Sequence, residues 1–351
     1  MDIPSEKNER NDRLTRRHFC EAVTMSLAAL SVPGDILQAK AEREPAPMTF
    51  TVPLEYTPRS PQSGVPFTEA SFKRQNVPFT FQVAEVGIAL VDLWNFGWES
   101  GPVGKTLGSE LSLERGVSHA QRKRRITEQI IAPTVEELRK LGVQVFHCTA
   151  WQILSRYPQW ETSTTEAERQ EVGIQLERMK AASASANDAK SQVEAQLQEK
   201  WPPVDWAQAW RKQHHDLVYN AEWNAKRGKE LYGWDLKFDI APPVRPQKSD
   251  LLVHHSREQF HRLLSERKIR VLFYMGFETD DCVEFQPYGM ANMQDLGYLC
   301  AVIRDATTTY ETAETLQGQW KTKVAIDSIE ARWGYSITSE ALRRSIRLAQ
   351  R

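Results

Sequence analysis

A cysteine and an aspartate each follow an apolar stretch of the chain, and these two residue types can form a nucleophile and its base. Asp92 closes the segment Val86 to Leu93, where a carboxylate must be paired, solvated in a cleft or protonated. Cys282 follows the segment Arg270 to Met275, in the sequence GFETDDCVE. Gly276 allows a sharp turn there, and the residues after it can open a helix whose dipole favours a thiolate. Both positions indicate one site.

Four short apolar segments, rich in Val, Ile and Leu, alternate with helical patterns along the chain. They are Val86 to Leu93, Val143 to Cys148, Arg270 to Met275 and Leu299 to Ile303. Such segments are typical of strands that are covered on both faces, as in a parallel sheet. A helical pattern occupies Gln121 to Leu141, and weaker strands are predicted at Leu251 to His254 and at Lys323 to Ile326. This order predicts an α/β fold with a three-layer, doubly wound, mainly parallel sheet.

The predicted sheet determines where Asp92 and Cys282 lie relative to each other. In an open parallel sheet the ligand crevice lies beyond the carboxyl ends of the strands, where the strand order reverses. Asp92 and Cys282 both stand at or just after such ends. We therefore expect them to meet at one edge of the sheet.

The balance of charges and the number of cysteines narrow the classes of function. In the 351 residues, 45 basic and 46 acidic side chains almost cancel, so nucleic acid is not an expected partner. Four cysteines are too few for a disulfide framework, and their spacing matches no zinc ribbon. Cys148 and Cys300 lie in strand-like segments and are expected to be buried, inert thiols. We therefore expect one of the cysteines to be a free, reactive thiol rather than part of a disulfide or a zinc site.

Residues 1–41 have the organisation of a bacterial twin-arginine export signal. A basic part that contains TRRHF precedes a short apolar run, Ala22 to Val32, and the sequence AKA ending at Ala41 fits signal-peptidase cleavage. The run is too short to span a bilayer, and no other stretch of about 18 apolar residues exists, so no membrane span is expected. The expected location is periplasmic or extracellular. The alternative is a basic N-terminus in which the arginine pair occurs by chance.

The sequence MGFETDDCVEFQPYGMANMQDLGYLCAVIRDATTTYE resembles the nucleophile region of the isochorismatase-like cysteine hydrolases. That family shows Gly, an apolar residue, a variable residue, Thr, two variable residues, Cys and Val, which Gly276 to Val283 supply. A Leu-Gly-Tyr turn and an Asp-Ala pair follow in the family, and they match Leu296 to Tyr298 and Asp305 with Ala306. The resemblance implies a Rossmann-like, isochorismatase-like hydrolase fold that acts on a small molecule, with Cys282 as nucleophile and Asp92 as its proton partner. It also implies association into homo-oligomers.

The resemblance further implies a triad of Cys, Asp and Lys, and this chain departs from it at the lysine. His255, or its neighbour His254, stands where the family lysine is normally found. Lys248 lies a few residues earlier and would reach the site only through a rearranged loop. Near neutrality a histidine supplies either a cation beside the thiolate or a carrier for its proton, so Asp92, His255 and Cys282 are the predicted catalytic residues. The alternative makes these histidines ordinary polar groups at a strand end.

Neither a metal nor a cofactor is expected. Nicotinamidases of the same superfamily bind zinc through an Asp, two His and a short Asp-x-His signature, whereas residues 93–96 of this chain read LWNF. His147 and Cys148 point to opposite faces if their strand is regular. The resemblance also implies that the peptide before Glu278 is often cis. Backbone amides in the turn from Phe277 to Cys282 are expected to stabilise an oxyanion.

The predicted organisation after the signal has two parts. Residues 42–85 form an N-terminal extension, and residues 86–351 form the hydrolase domain, with a helical insertion at about 158–246. Five tryptophans of the insertion are expected to pack on the core or on a second subunit: Trp201, Trp206, Trp210, Trp223 and Trp234. The predicted function is hydrolysis of an amide or related C–N bond. The alternatives are ether hydrolysis of the isochorismatase type and a catalytically degenerate protein that binds a ligand or partner.

Overall fold

The computed structural model describes residues 48–61, 63–101, 117–184, 206 and 238–350, and in these residues eight strands form one sheet. The strands are β1 Thr49–Tyr56, β2 Gln75–Gln82, β3 Val86–Val91, β4 Gln144–Cys148, β5 Leu251–Val253, β6 Val271–Phe277, β7 Leu299–Thr308 and β8 Tyr335–Ile337. Their order in the sheet is β2-β1-β8-β7-β6-β3-β4-β5. Strands β3 to β8 pair in parallel, whereas β1 is antiparallel to both β2 and β8. The predicted α/β fold with a mainly parallel sheet is confirmed.

Helices cover both faces of the sheet. They are α1 Val117–Ile126, α2 Ala132–Leu141, α3 Trp151–Leu154, α4 Gln159–Ser163, α5 Glu166–Ala184, α6 Arg257–Glu266, α7 Cys282–Phe285, α8 Met290–Asp295, α9 Trp320–Arg332 and α10 Ser339–Ala349. A π-helical segment, Thr127–Ile131, joins α1 to α2. The helical pattern predicted over Gln121 to Leu141 therefore belongs to one continuous helical stretch.

Alternate residues of each central strand enter two separate apolar cores, which makes the three layers. Ile88 and Leu90 of β3 face the core formed with α2 and α10, while Ala89 and Val91 face the core formed with α6, α8 and α9. This alternation follows from the period of two in a strand. Because both faces of β3 are buried, its sequence is a continuous apolar run.

The four stronger predicted strands correspond to β3, β4, β6 and β7, and the weaker one at Leu251 to His254 corresponds to β5. The strand predicted at Lys323 to Ile326 is wrong, because these residues lie inside α9. Ala325, Ile326 and Ile329 are the buried apolar residues of that helix, and their spacing fits a helical face. Strands β1, β2 and β8 were not predicted.

The strand order reverses beside β3. From β3 the chain builds outward to β4 and β5, and it then returns to place β6 on the other side of β3. Gly276 of β6 lies opposite Val91 with a φ of 133°, and a Cβ atom there would lie 2.0 Å from the Val91 carbonyl oxygen. Only glycine permits this approach. The carboxyl ends of β3 and β6 therefore meet at the switch point, where a ligand crevice is expected.

Several predicted segments are described only in part. Residues of the predicted N-terminal extension supply β1 and β2, and the start of the predicted insertion supplies α4 and α5. The predicted export signal lies outside the described residues, as do four of the five tryptophans of the insertion; Trp206 is described and exposed. None of the described helices is both long enough and apolar enough to cross a membrane.

Candidate active site

Asp92 directly follows β3, and hydrogen bonds fix its carboxylate. Its backbone lies in the left-handed region, with a φ of 46°, and its amide donates to the Cys148 carbonyl at 3.0 Å. The Thr149 hydroxyl accepts from the Trp94 indole N–H (2.9 Å) and donates to Asp92 Oδ1 (2.6 Å). The Tyr288 hydroxyl lies 3.4 Å from Asp92 Oδ1 and 3.3 Å from Oδ2. The buried carboxylate is thus held in one orientation by Thr149 and Tyr288, which come from two different segments of the chain.

Cys282 is the first residue of α7, just past the end of β6. Its thiol lines the same cavity as the Asp92 carboxylate, and the charge of that carboxylate acts on the thiol. The side-chain amide of Gln286, one turn later, lies 3.7 Å from Cys282 Sγ. The other described cysteines, Cys148 and Cys300, are buried within β4 and β7. Cys282 is therefore the described thiol that is both accessible and next to a carboxylate.

The electrostatics of this pair keep the proton on sulfur in the resting protein. Burial raises the pKa of the Cys282 thiol well above its ordinary value of 9.0, and the charges of Asp92 and Asp281 raise it further. Burial also raises the pKa of Asp92, despite the opposing effects of His255 and of hydrogen bonding. The expectation that a helix dipole favours the thiolate is therefore wrong for the resting state. A single turn of helix is outweighed by desolvation and by two nearby carboxylates.

Of the three residues considered for the family lysine's position, His255 is the one beside Asp92. Its ring stacks on that of Tyr288, with centroids 5.5 Å apart, and it lines the same cavity as the Asp92 carboxylate. Desolvation on the side that faces Tyr288 and Asp92 lowers the pKa of His255 below its ordinary value of 6.5, although the residue is exposed to solvent, and attraction to Asp92 does not offset this effect. At neutral pH the His255 ring is therefore uncharged. His254 lines an adjoining cavity. Exposed Lys248 precedes β5, so it lies at the amino ends of the parallel strands, away from Asp92.

Lys123, which was not among the predicted site residues, lies in the same cavity as Asp92. Lys123 of α1 is buried, and its Nζ lies 3.1 Å from Glu278 Oε1. Its charge also interacts favourably with the Asp92 carboxylate. His119, one helical turn earlier, places its Nε2 3.3 Å from Glu278 Oε2. The cation near Asp92 therefore comes from α1, whereas it was predicted to come from the residues around β5.

These groups surround a cavity of about 280 Å³ at the carboxyl ends of β3 and β6. Its ionisable lining consists of Asp92, Lys123, His255, Glu278, Asp281 and Cys282. Aromatic rings supply much of the remaining wall: Trp94, Phe238, Phe277 and Tyr310. The cavity is of a size for a small polar group, and its apolar walls strengthen electrostatic interactions inside it.

Two backbone amides of the loop between β6 and Cys282 already donate hydrogen bonds within the protein. The Phe277–Glu278 peptide is cis, as the resemblance implied. The amide of Thr279 donates to the Thr308 carbonyl (3.2 Å), and that of Asp281 donates to the Glu278 carbonyl (3.2 Å). These two amides are already used within the protein, so an oxyanion would have to be bound by others of the turn, such as that of Cys282 itself.

No group of three or more His, Cys, Asp or Glu is arranged to hold a metal ion in the part of the chain that the structure describes. His147, the strand histidine considered in the sequence analysis, instead places its Nε2 3.0 Å from Asp250 Oδ2. That carboxylate is also paired with Arg139. His147 therefore belongs to a buried polar cluster apart from the cavity.

Comparison with known proteins finds similarity at the level of structure alone. No family model and no curated protein matches the sequence. A cysteine hydrolase from Pseudomonas syringae pv. phaseolicola 1448A is 12% identical, with 77% of this chain and 95% of that chain covered and a TM-score of 0.38. An isochorismatase family protein from Burkholderia thailandensis is 14% identical, with coverages of 75% and 96% and a TM-score of 0.39. A nicotinamidase from Staphylococcus aureus is 11% identical, with coverages of 72% and 97% and a TM-score of 0.32. At these values the similarity does not assign the chain to a family.

Proposed function

We propose that this protein hydrolyses an amide or a related C–N bond of a small molecule, with Cys282 as the nucleophile. The observation that supports this most strongly is that the Cys282 thiol and the buried Asp92 carboxylate line one cavity and interact with each other. A buried carboxylate with a raised pKa is a stronger base than an exposed one, which suits it to accept a thiol proton. The motif around Cys282 that resembles cysteine hydrolases supports the same reaction.

In the proposed reaction the thiol proton moves to Asp92 as Cys282 Sγ attacks the carbonyl carbon of the substrate. The tetrahedral intermediate collapses when the C–N bond breaks, and the Asp92 carboxyl gives its proton to the leaving nitrogen. Water then attacks the thioester, loses a proton to Asp92, and releases a carboxylic acid. The proton returns to Cys282 at the end of the cycle. Asp92 thus acts as a base and as an acid in successive steps.

Lys123 and His255 have different parts in this proposal. Lys123 carries the positive charge that favours the ionised form of Asp92 before each proton transfer. His255 lines the cavity and packs against Tyr288. Because its lowered pKa leaves it uncharged at neutral pH, it does not act as the cation of the site. The role predicted for His255 is thereby divided between His255 and Lys123.

The test is a screen of small primary amides and carbamoyl compounds for ammonia release, combined with mass spectrometry of acid-quenched protein. We expect release by the wild type, an acyl adduct on the peptide that contains Cys282, and loss of both in Cys282→Ala. Cys282→Ser is the matched control for a change of nucleophile without loss of hydrogen bonding, and its turnover should be strongly reduced. Release that persists in Cys282→Ala contradicts the proposal. The absence of both turnover and adduct in the wild type favours the binding-protein alternative.

Export is a separate proposal, which rests on the sequence of residues 1–41 alone. We infer that the pair Arg16 and Arg17 directs the folded protein through a twin-arginine route. Its test is cell fractionation of the full chain beside the variant with Arg16→Lys and Arg17→Lys. Export that is unaffected by the double substitution contradicts this route.

A further inference from the structure

Thr149 directly follows β4, and its backbone is fixed at the same edge of the sheet as Asp92. Its amide donates to the Val253 carbonyl at the end of β5 (3.0 Å), and the Cys148 carbonyl before it accepts from the Asp92 amide (3.0 Å). The residue is 3% exposed, and a β-branched side chain has few rotamers. The Thr149 hydroxyl therefore has a defined place beside Asp92.

The direction of the hydrogen bonds at Thr149 follows from the groups that it meets. An indole N–H only donates, so the Thr149 oxygen accepts from Trp94 Nε1, which is 2.9 Å away. An ionised carboxylate only accepts, so the hydroxyl donates to Asp92 Oδ1, which is 2.6 Å away. A hydroxyl that accepts one hydrogen bond donates a stronger one. Trp94, Thr149 and Asp92 therefore form a chain of hydrogen bonds that ends on the carboxylate and favours its ionised form.

The Trp94 ring is itself held in place, and it lines the cavity at Asp92. It packs against the rings of Phe96 (centroids 5.6 Å apart) and Phe238 (4.9 Å). Its backbone amide donates to the Asp92 carbonyl (3.0 Å). The indole N–H therefore reaches Thr149 from a packed aromatic wall of the cavity.

The hydrogen bond from Thr149 opposes the effect of burial on Asp92. Burial raises the pKa of Asp92, and this hydrogen bond is among the effects that counter the rise. The Tyr288 hydroxyl also lies near the carboxylate, but its nearer oxygen is 3.3 Å away, so the bond from Thr149 is the shorter. A protonated Asp92 cannot accept the thiol proton of Cys282. The strength of the Thr149 bond therefore bears on the proposed reaction.

We propose that Thr149 is a positioning residue for the base: its hydroxyl, polarised by Trp94, holds Asp92 in the ionised form and in the orientation that receive the proton of Cys282. The inference rests on the proposed function in naming Asp92 a base. The hydrogen bond acts on the charge of Asp92 whether or not the protein hydrolyses an amide. Its effect can therefore be measured in the resting protein.

Ionisable side chains from several elements lie near Asp92. Among the described residues they are Lys123 of α1, Cys148 of β4, His255 after β5, Cys282 of α7 and Tyr288 after α7. All of them are retained when Thr149 is replaced. A difference between the wild type and a Thr149 variant in the pH at which Asp92 titrates therefore reports the hydroxyl.

The test measures the titration of Asp92 by ¹³C NMR in the full chain, labelled at the side-chain carboxyl carbon of aspartate. The Asp92 signal is the one that Asp92→Asn lacks. We expect Asp92 to titrate at a higher pH in Thr149→Val than in the wild type, because its charged form has lost a donor. Thr149→Ser should titrate as the wild type does, and Trp94→Phe should lie between the wild type and Thr149→Val. Thr134→Val removes another buried hydroxyl, which donates to the Ile130 carbonyl, and this control should leave Asp92 unchanged.

Turnover by the same variants separates positioning from a structural role. With an amide that the wild type hydrolyses, we expect Thr149→Val to lower kcat/KM by about tenfold on the acid side of the pH profile. The loss should shrink as pH rises and Asp92 ionises. KM should change little, because Thr149 is not part of the cavity lining. A loss that is equal at every pH shows a structural role alone and overturns the proposal.

The outcomes of the titration separate the two proposals. The same titration in the wild type and Thr149→Val overturns the role of Thr149, as does a Thr149→Ser protein that titrates like Thr149→Val. If Thr149→Val does not fold, Trp94→Phe decides: a higher titration pH supports the proposal, and an unchanged one overturns it. Amide turnover by the wild type would in either case leave the proposed function standing. A titration that depends on Thr149, without hydrolysis of any amide by the wild type, supports the action of Thr149 on Asp92 and contradicts the hydrolase proposal.

Discussion

Lys123 Nζ lies 3.1 Å from Glu278 Oε1, and both side chains are almost fully buried. The lysine comes from α1, while the glutamate follows β6 in the loop that leads to Cys282. A buried pair of this kind is held by mutual attraction that offsets the cost of removing both charges from water. The pair therefore connects α1 to the nucleophile loop.

Removing one partner of this pair should destabilise the fold. We expect Lys123→Met to lower the free energy of unfolding by about 3 kcal/mol, because Glu278 is left as a buried charge beside His119 without its lysine. Lys123→Met with Glu278→Gln should recover part of that loss. Lys140→Met, which removes an exposed lysine paired with Glu136, is the control and should have no measurable effect. Urea denaturation at neutral pH is the measurement, and equal effects of Lys123→Met and Lys140→Met would contradict the prediction.

The catalytic contributions of Lys123 and His255 should differ in size. With an amide that the wild type hydrolyses, we expect His255→Gln to lower kcat/KM by about tenfold and Lys123→Met by about a hundredfold or more. Lys123→Arg keeps the charge near Asp92 and should retain more activity than Lys123→Met, which separates the loss of charge from the loss of stability. A larger loss in His255→Gln, with near-normal activity in Lys123→Met, would return the cationic role to the histidine.

Part of the fold could be predicted because burial on both faces leaves a continuous apolar run, as in β3 and β6. Strand β1 was overlooked although Phe50, Val52 and Leu54 alternate with less buried residues, a period of two that the sequence displays. Strand β8 has only three residues, which is too short for any periodic signal. The error at Lys323 to Ile326 shows that a short apolar run does not distinguish a strand from one face of a helix.

Asp92 and Cys282 could be located because catalytic groups of a doubly wound sheet stand at strand ends, which the sequence reveals. Lys123 could not, because it lies in a helix whose neighbouring basic residues, Arg124 and Arg125, suggest a solvated face. The buried positions His119, Lys123 and Thr127 are four residues apart and lie on one face of the helical stretch. That spacing was the available signal. The sequence does not show that this face lies against Glu278, because Glu278 is far from α1 along the chain.

Replacing Asp92 by asparagine should stabilise the protein. Folding raises the pKa of Asp92, so the stability linked to its protonated form is present below its ordinary pKa of 3.8 and is lost as pH rises through the folded value. An asparagine side chain cannot ionise, and its oxygen can still accept from Thr149. We expect the free energy of unfolding of Asp92→Asn to exceed that of the wild type by about 1 kcal/mol at neutral pH. This difference should shrink toward pH 4, where the wild-type carboxyl group becomes protonated. Denaturation curves across this range measure it, and a variant less stable at every pH would contradict the burial argument.

Gly276 should tolerate no side chain. A Cβ atom at this position would lie 2.0 Å from the Val91 carbonyl oxygen, and its φ of 133° disfavours any other residue. We expect Gly276→Ala to lower the free energy of unfolding by about 3 kcal/mol or more and to disturb the Asp92 site. Gly173→Ala is the control, since open space surrounds that position in α5 and alanine favours a helix. Thermal unfolding of both variants is the measurement, and similar melting temperatures would show that the strands can separate without cost.

The interaction between Cys282 and Asp92 is tested most directly by the rate of Cys282 alkylation across pH. The comparison uses wild type and Asp92→Asn, both carrying Cys20→Ser, while buried Cys148 and Cys300 stay unreactive in the folded protein. We predict that the wild-type thiol is labelled slowly at neutral pH with an apparent pKa above 9.0. Asp92→Asn should be labelled about tenfold faster at the same pH, because a neighbouring negative charge has been removed, while its amide hydrolysis is lost. Identical pH profiles in the two proteins, each like that of a free cysteine, would show that Asp92 does not act on the thiol and would contradict the assignment of Cys282 and Asp92 as nucleophile and base.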